Sequence, residues 1–127
     1  MYTVTIEARF SAIHRVRYGD GTVEAAHGHD WRVRVRFERG TLNADGMVVE
    51  FHDAQRALAG VLADLNHADL NTHPALAGAN PTAEVVARYI FDAIEARCGP
   101  GVRMVAVTEA PGCVATYERA GDAGADA

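Results

Sequence analysis

An α+β fold is predicted: an antiparallel sheet built from two hairpins, with two helices inserted between them and lying on one face. Three observations lead there. Residues 2–14 and 27–38 alternate apolar and polar side chains, the period of a half-buried strand. Residues 53–65 and 80–98 carry apolar side chains at spacings of three and four, the period of an amphipathic helix. Two further extended stretches, 102–110 and 113–118, are joined by Pro111-Gly112, so the order is strand, strand, helix, helix, strand, strand. Residues 1–118 read as a single domain long enough to bury a core, and 119–127, ending in a small and acidic stretch, as a flexible tail.

In the first strand Tyr2, Val4, Ile6, Ala8, Phe10 and Ala12 share one side, and His14 continues it. In the second, Trp31, Val33, Val35 and Phe37 share one side. His27 and His29 continue that line if the chain is extended from residue 27. Asp30, Arg32, Arg34 and Arg36 take the other side. Imidazoles on a buried face need hydrogen-bond partners or a metal. Hydrogen-bonded histidines at a strand rim are the plainer reading. Three nitrogens plus an open position is the arrangement of a catalytic zinc site. The loop 15–26, with Gly19-Asp20-Gly21, ties His14 to the other two and offers Asp20 and Glu24 as acidic groups.

Gly40–Gly46 is a turn and Met47–Phe51 a short extended run. Asp53 is expected to cap the first helix, whose buried stripe is Ala54, Ala57, Leu58, Val61, Leu62 and Leu65. Asn66–Asn71 leads into a loop, with His67 placed to cap the helix end. Asn80 and Pro81 are expected at the cap and first turn of the second helix. Its stripe is Val85, Val86, Tyr89, Ile90, Ala93 and Ile94, and Gly99-Pro100-Gly101 stops it. Glu109 ends the apolar line of Val105 and Val107, so its carboxylate sits either at the solvent rim or inside a site. The sheet leaves edge strands unpaired, which invites pairing between copies and closure of a barrel.

The formal net charge of −5 argues against a nucleic-acid surface. No lysine is present, and Arg32, Arg34 and Arg36 form a local exception to the acidic balance. A solvated sheet face or a subunit contact is the simpler reading of them, a local anion site the alternative. No apolar run is long enough to span a membrane, and the first residues lack a signal-peptide pattern, so a cytoplasmic location is expected. Cys98 and Cys113 form no disulfide framework and read as small packing residues. His52 and His73 read as surface residues.

Several motifs occur in order: Phe10-Ser11-Ala12-Ile13-His14, His27-Gly28-His29, Gly46-Met47-Val48-Val49-Glu50-Phe51, Leu65 to Asn71, Asn80-Pro81-Thr82-Ala83-Glu84 and Val107-Thr108-Glu109. Over nearly the whole chain, to about residue 118, this resembles the 6-pyruvoyltetrahydropterin synthase and 6-carboxytetrahydropterin synthase family. The resemblance implies the tunnelling fold, in which trimers form a barrel and two trimers stack into a hexamer with sites between subunits. It implies zinc on His14, His27 and His29, a pterin ring anchored by Glu109 with Thr82 nearby, and 7,8-dihydroneopterin triphosphate as substrate. It implies His67 as proton shuttle, with Asp69 as the charge beside it.

The sequence departs from that pattern at three positions. The family's catalytic base is a cysteine in the loop before the histidine pair. Its position here is Val23, and no cysteine lies between Met1 and His29. Other members carry glutamate and resemble enzymes that cleave the side chain to 6-hydroxymethyl-dihydropterin; Glu24 is the natural stand-in. Asn66 replaces the aspartate before the shuttle histidine, and Ala83 replaces a hydroxyl residue. The function expected is zinc-dependent lyase chemistry on a pterin side chain. The alternative is a zinc- and pterin- or purine-binding homologue without synthase activity or with an unrelated substrate. A purely structural zinc fits less well, because such sites are cysteine-rich.

Overall fold

The computed structural model describes residues 1–121. The order is β1 (Tyr2–His14), β2 (His27–Arg39), α1 (Phe51–Ala63), β3 (Ala68–Asp69), α2 (Ala83–Cys98), β4 (Val102–Ala110) and β5 (Cys113–Glu118). The sheet runs β3-β1-β2-β4-β5. Its four long strands are antiparallel neighbours, and the two-residue β3 pairs parallel with β1. The sheet is therefore mixed and five-stranded where four antiparallel strands were expected. A two-residue strand has no periodicity of its own; its pairing is dictated by where α1 ends.

The alternation predicted for β1 and β2 is observed. Ile6, Phe10, Trp31, Val33, Val35 and Phe37 are buried under the two helices, while Glu7, Arg9, Arg32 and Arg34 face away. On the helix side Leu58, Val61, Leu62, Val86, Ile90 and Ile94 complete the core. Ala87 and Phe91 are buried in α2 while Val85, Tyr89 and Ala93 are half-buried, so the stripe is rotated relative to the expected one. Phe91 packs edge-on against Tyr117 of β5, 4.8 Å between centroids, and this contact turns the helix.

Both helix starts differ from expectation. Met47–Glu50 form no strand, and α1 is capped by Glu50, whose carboxylate accepts from the Asp53 N–H at 2.7 Å. Asp53 lies inside the first turn, where its charge suits the helix dipole. Thr82, not Asn80, caps α2, its hydroxyl accepting from the Val85 N–H at 3.2 Å. Gly99, with φ of 80°, ends that helix as expected. Cys98 is half-buried, but Cys113 is exposed at the start of β5 and packs against nothing in the core. His52 is exposed, whereas His73 is half-buried against Tyr89. Arg119 is tied back: its N–H reaches the Arg103 carbonyl at 2.9 Å and its guanidinium pairs with Glu95. Of the expected tail, residues 119–121 are thus described and docked at Arg119, while 122–127 lie outside the described residues.

Candidate metal centre and active site

The register of β1 against β2 builds the centre. His14 and His27 are direct cross-strand partners, and His29, opposite Ala12, follows two residues on. All three imidazoles therefore rise from one face of one antiparallel pair, at the end the helices leave uncovered. Ring centroids lie 4.7 Å apart for His14 and His27, 4.6 Å for His27 and His29, and 5.4 Å for His14 and His29. Trp31 forms the floor, edge-on to His14 and His29, with its indole N–H donated to the Ala12 carbonyl at 3.2 Å.

Backbone carbonyls fix the tautomers. A carbonyl oxygen can only accept, so His14 Nδ1 donates to the Pro81 carbonyl at 2.8 Å and His27 Nδ1 donates to the Ala25 carbonyl at 2.9 Å. Each ring then turns its Nε2 toward the cluster. These two nitrogens are 3.1 Å apart, close enough to share a proton or a cation. His29 Nε2 is buried with no hydrogen-bond partner. Burial, with help from the charges of His27 and His14, holds His29 below its ordinary value against the opposing pull of Glu109 and Glu24. Three imidazoles gathered into one cluster, two of them oriented by backbone carbonyls through Nδ1, are the donor set a divalent metal of zinc type requires, so the residues present fit one.

Glu109 joins the cluster. The register between β4 and β5 shifts between Thr108 and Ala110, leaving Glu109 as the extra residue of a bulge. Its Oε1 lies 2.8 Å from His14 Nε2 and 3.7 Å from His29 Nε2. His14, His27, His29 and Glu109 together bring four potential ligand atoms within 4.8 Å of one another. The expectation left Glu109 between the rim and a site; the structure places it in the site, on the side of β4 that Val105 and Val107 share.

The loop 15–26 folds back as a small hairpin, with Arg17 bridged to Val23 and the Glu24 N–H donated to the Val16 carbonyl at 3.0 Å. This brings Glu24 over the cluster, its Oε1 3.6 Å from His27 Nε2 and 3.9 Å from His14 Nε2. The same oxygen accepts from the Val16 N–H at 2.8 Å, and Oε2 accepts from the Tyr18 hydroxyl at 3.3 Å. The Glu24 charge, first among the causes, raises the Tyr18 phenol above its ordinary value, so it remains a donor. Asp20, the other acidic candidate, is used in the turn: its carboxylate accepts the Thr22 N–H and hydroxyl, and these bonds hold it below the ordinary carboxylate range.

His67 and Asp69 are not brought to this cluster. His67 sits at φ of 61°, its N–H bonded to the Ser11 carbonyl, and β3 follows along the outer edge of β1. Its side chain is exposed and shares a cavity with Ser11, Ala12, Ile13, Gly28, Asp30 and His29, so that cavity reaches from His67 to one histidine of the cluster. Asp69 accepts the Asn71 N–H at 2.9 Å and makes no ion pair with His67 among the described residues. Thr82 has a capping task at α2 whatever else it touches.

Three asparagines that sequence reasoning did not assign hold the end of β1. Asn66 Oδ1 accepts the Ser11 N–H at 2.9 Å. Asn71 binds both the N–H and the carbonyl of Arg15, and Asn80 does the same for Arg17. Each amide substitutes for a missing neighbouring strand. An asparagine before Pro81 reads as a cap in sequence; only its distance of 63 positions from Arg17 in the chain, closed in space, shows the clamp.

The profile described as 6-pyruvoyl tetrahydropterin synthase matches residues 3–120. The chain belongs to the 6-pyruvoyl tetrahydropterin synthase family. A 6-carboxy-5,6,7,8-tetrahydropterin synthase of Synechocystis is 30% identical over 122 residues, 92% of this chain and 93% of that protein. An Archaeoglobus fulgidus protein provisionally named for the same activity is 33% identical over 106 residues, 84% and 86% of the two chains. The Caenorhabditis elegans 6-pyruvoyl tetrahydropterin synthase superposes with a TM-score of 0.79 at 23% identity, covering 94% of this chain and 98% of that one. The Plasmodium vivax 6-pyruvoyltetrahydropterin synthase gives 0.72 at 18% identity, covering 93% and 97%, and was also solved with a catalytic glutamate replaced by alanine and by cysteine. These structures share the fold, so this chain carries the tunnelling fold of the family. Among the described residues no helix is long and apolar enough to cross a membrane.

Proposed function

We propose that this protein is a zinc-dependent lyase acting on the side chain of 7,8-dihydroneopterin triphosphate or a related pterin, with Glu24 as its base. The observation that carries this is the Glu24 carboxylate facing the three-histidine cluster at 3.6 and 3.9 Å. The absence of the loop cysteine is then no obstacle, since in the Plasmodium vivax enzyme a glutamate is named as a catalytic residue.

His14, His27 and His29 would hold the metal. Bound there, a zinc ion would make the side-chain hydroxyls it holds more acidic. Glu24 would take the proton of such a hydroxyl as the carbon–carbon bond beside it breaks, leaving a carbonyl on the departing fragment and a proton to be returned to the carbon next to the ring; the Glu24 carboxylate is anchored by the Val16 N–H and the Tyr18 hydroxyl and keeps lone pairs toward the site. Glu109 anchors the pterin ring by accepting two parallel N–H bonds, with Thr82 close to the ring. His67 returns protons, with Asp69 as the nearby charge. His67 is exposed at the outer edge of β1 and shares a cavity with His29 of its own chain, a position from which it also reaches a neighbouring copy packed on that edge. The free outer edges of β3 and β5 support such a neighbour, in a trimeric barrel and a hexamer of two trimers. A cytoplasmic location accompanies this reading.

Glu109 favours the second reading. At 2.8 Å from His14 Nε2 it stands where a fourth ligand would close the metal's open position, as in a binding homologue without synthase activity. Incubating zinc-loaded protein with 7,8-dihydroneopterin triphosphate, with and without chelator, and reading products by mass spectrometry decides. A chelator-sensitive 6-hydroxymethyl product is expected from glutamate-based cleavage. Unchanged substrate in both arms overturns the enzymatic reading and leaves the binding protein.

A further inference from the structure

We propose that Arg9, Arg32 and Thr108 form a phosphoryl-anion site on the face of the sheet that carries no helix. Arg9 of β1 is the direct cross-strand partner of Arg32 of β2, and Arg32 is the direct partner of Thr108 of β4. Two guanidinium groups and a hydroxyl therefore stand in one row across three strands. Like charges directly opposite each other on an antiparallel pair repel and destabilise it. Elsewhere on this face that cost is neutralised: Arg34 pairs with Glu7 at 2.7 Å, and Arg36 with Glu38 at 3.2 Å and Glu118 at 3.0 Å. Asp30, next along β2, takes the Ser11 hydroxyl at 2.5 Å. Among the described residues neither Arg9 nor Arg32 has an ion-pair partner.

The row is also concave. A cavity of about 420 Å³, floored by Ala8, Val33 and Ala106, has both arginines and Thr108 in its wall, with the Glu7–Arg34 ion pair at its side. A second, of about 570 Å³, runs from the same three residues past Asp30 to His29 and Glu109. Two facing guanidinium groups offer planar N–H forks and two positive charges, which match the oxygens and the double charge of a phosphate. General attraction does not explain the pair, since the whole chain carries −5. The phosphoryl group comes either from free inorganic phosphate or from the tail of a ligand whose ring reaches Glu109 through the second cavity.

The test is a titration of the full chain with inorganic phosphate, followed by thermal melting and calorimetry against sodium chloride of equal ionic strength. Wild type is expected to gain melting temperature with phosphate beyond the chloride control. The double variant R9Q/R32Q is expected to bind phosphate at least fivefold more weakly, and R34Q, whose arginine is already paired, less than twofold. R9Q alone is expected to melt no lower than wild type in chloride, since it removes a repulsion; this checks folding. Equal phosphate binding by wild type and R9Q/R32Q, or no binding beyond chloride, overturns the site. Binding of 7,8-dihydroneopterin and of its triphosphate then separates the sources. If the tail occupies the row, only the triphosphate weakens in R9Q/R32Q; if free phosphate does, neither pterin changes while phosphate binding still falls. The phosphate arm uses neither turnover nor bound zinc, so its failure is distinct from failure of the enzymatic reading.

Discussion

Two segments pack against the end of β1, and they differ in how firmly each holds its candidate side chain. The hairpin 15–26 folds over the histidine face. There the carboxylate of Glu24 is oriented by two donors, Val16 N–H and Tyr18 hydroxyl. The segment 64–71 runs back along the outer edge, where the His67 N–H bonds the Ser11 carbonyl from a left-handed backbone and the imidazole is left exposed. One segment is a finished part of a site; the other presents an exposed side chain with its backbone fixed. The difference teaches that a single chain gathers three histidines and Glu24 into one cluster while it leaves His67 exposed beside it.

The largest effect should come from the side that is complete. His29→Ala removes one of three ligand nitrogens, and bound metal, measured by atomic emission after dialysis, should fall from one per chain to near zero; retained stoichiometric metal would sink the three-histidine site. Glu24→Gln should keep the metal and lower turnover by about 10²–10⁴-fold, the usual contribution of a general base. His67→Ala tests the other segment. Each variant alone should be nearly inactive, yet mixing Glu24→Gln with His67→Ala after dissociation and reassembly should recover part of the activity, because some sites draw both good residues from different chains. No recovery would assign His67 to the site of its own chain.

Smaller effects separate the clamps from the chemistry. Thr82→Ala removes the cap of α2 and should cost about 1 kcal/mol of stability by denaturant melts, while leaving metal content unchanged. Glu50 gives the smallest effect and one with a pH signature. The Asp53 N–H and His52 hold its carboxyl below the ordinary value of 4.5. Its stabilisation is therefore fully present above that value and is lost as pH falls through the lowered folded-state pKa. Glu50→Gln should flatten the acid end of the melting curve against pH, and an unchanged curve would remove the cap from that role.

Much of the metal centre was legible because strand parity is local: once β1 and β2 alternate, His14, His27 and His29 must lie on the buried side. The helices were legible by their spacing, but not their first residues. A side chain three positions away can cap a helix, and Glu50 and Thr82 did so in preference to Asp53 and Asn80. Glu24 was legible only as one of two acids on a loop. The Asx turn that consumes Asp20 and the bridge between Arg17 and Val23 distinguish them.

The sequence alone determined the α+β order, the inward faces of the long strands and the three histidines, since periodicity is a property of neighbouring residues. Tertiary structure decided the rest. The pairing of β3, the asparagine clamps on Ser11, Arg15 and Arg17 and the approach of Glu109 to His14 all depend on groups far apart in the chain. No local pattern encodes them, because a hydrogen bond across 55 or 63 positions exists only once the strands have packed.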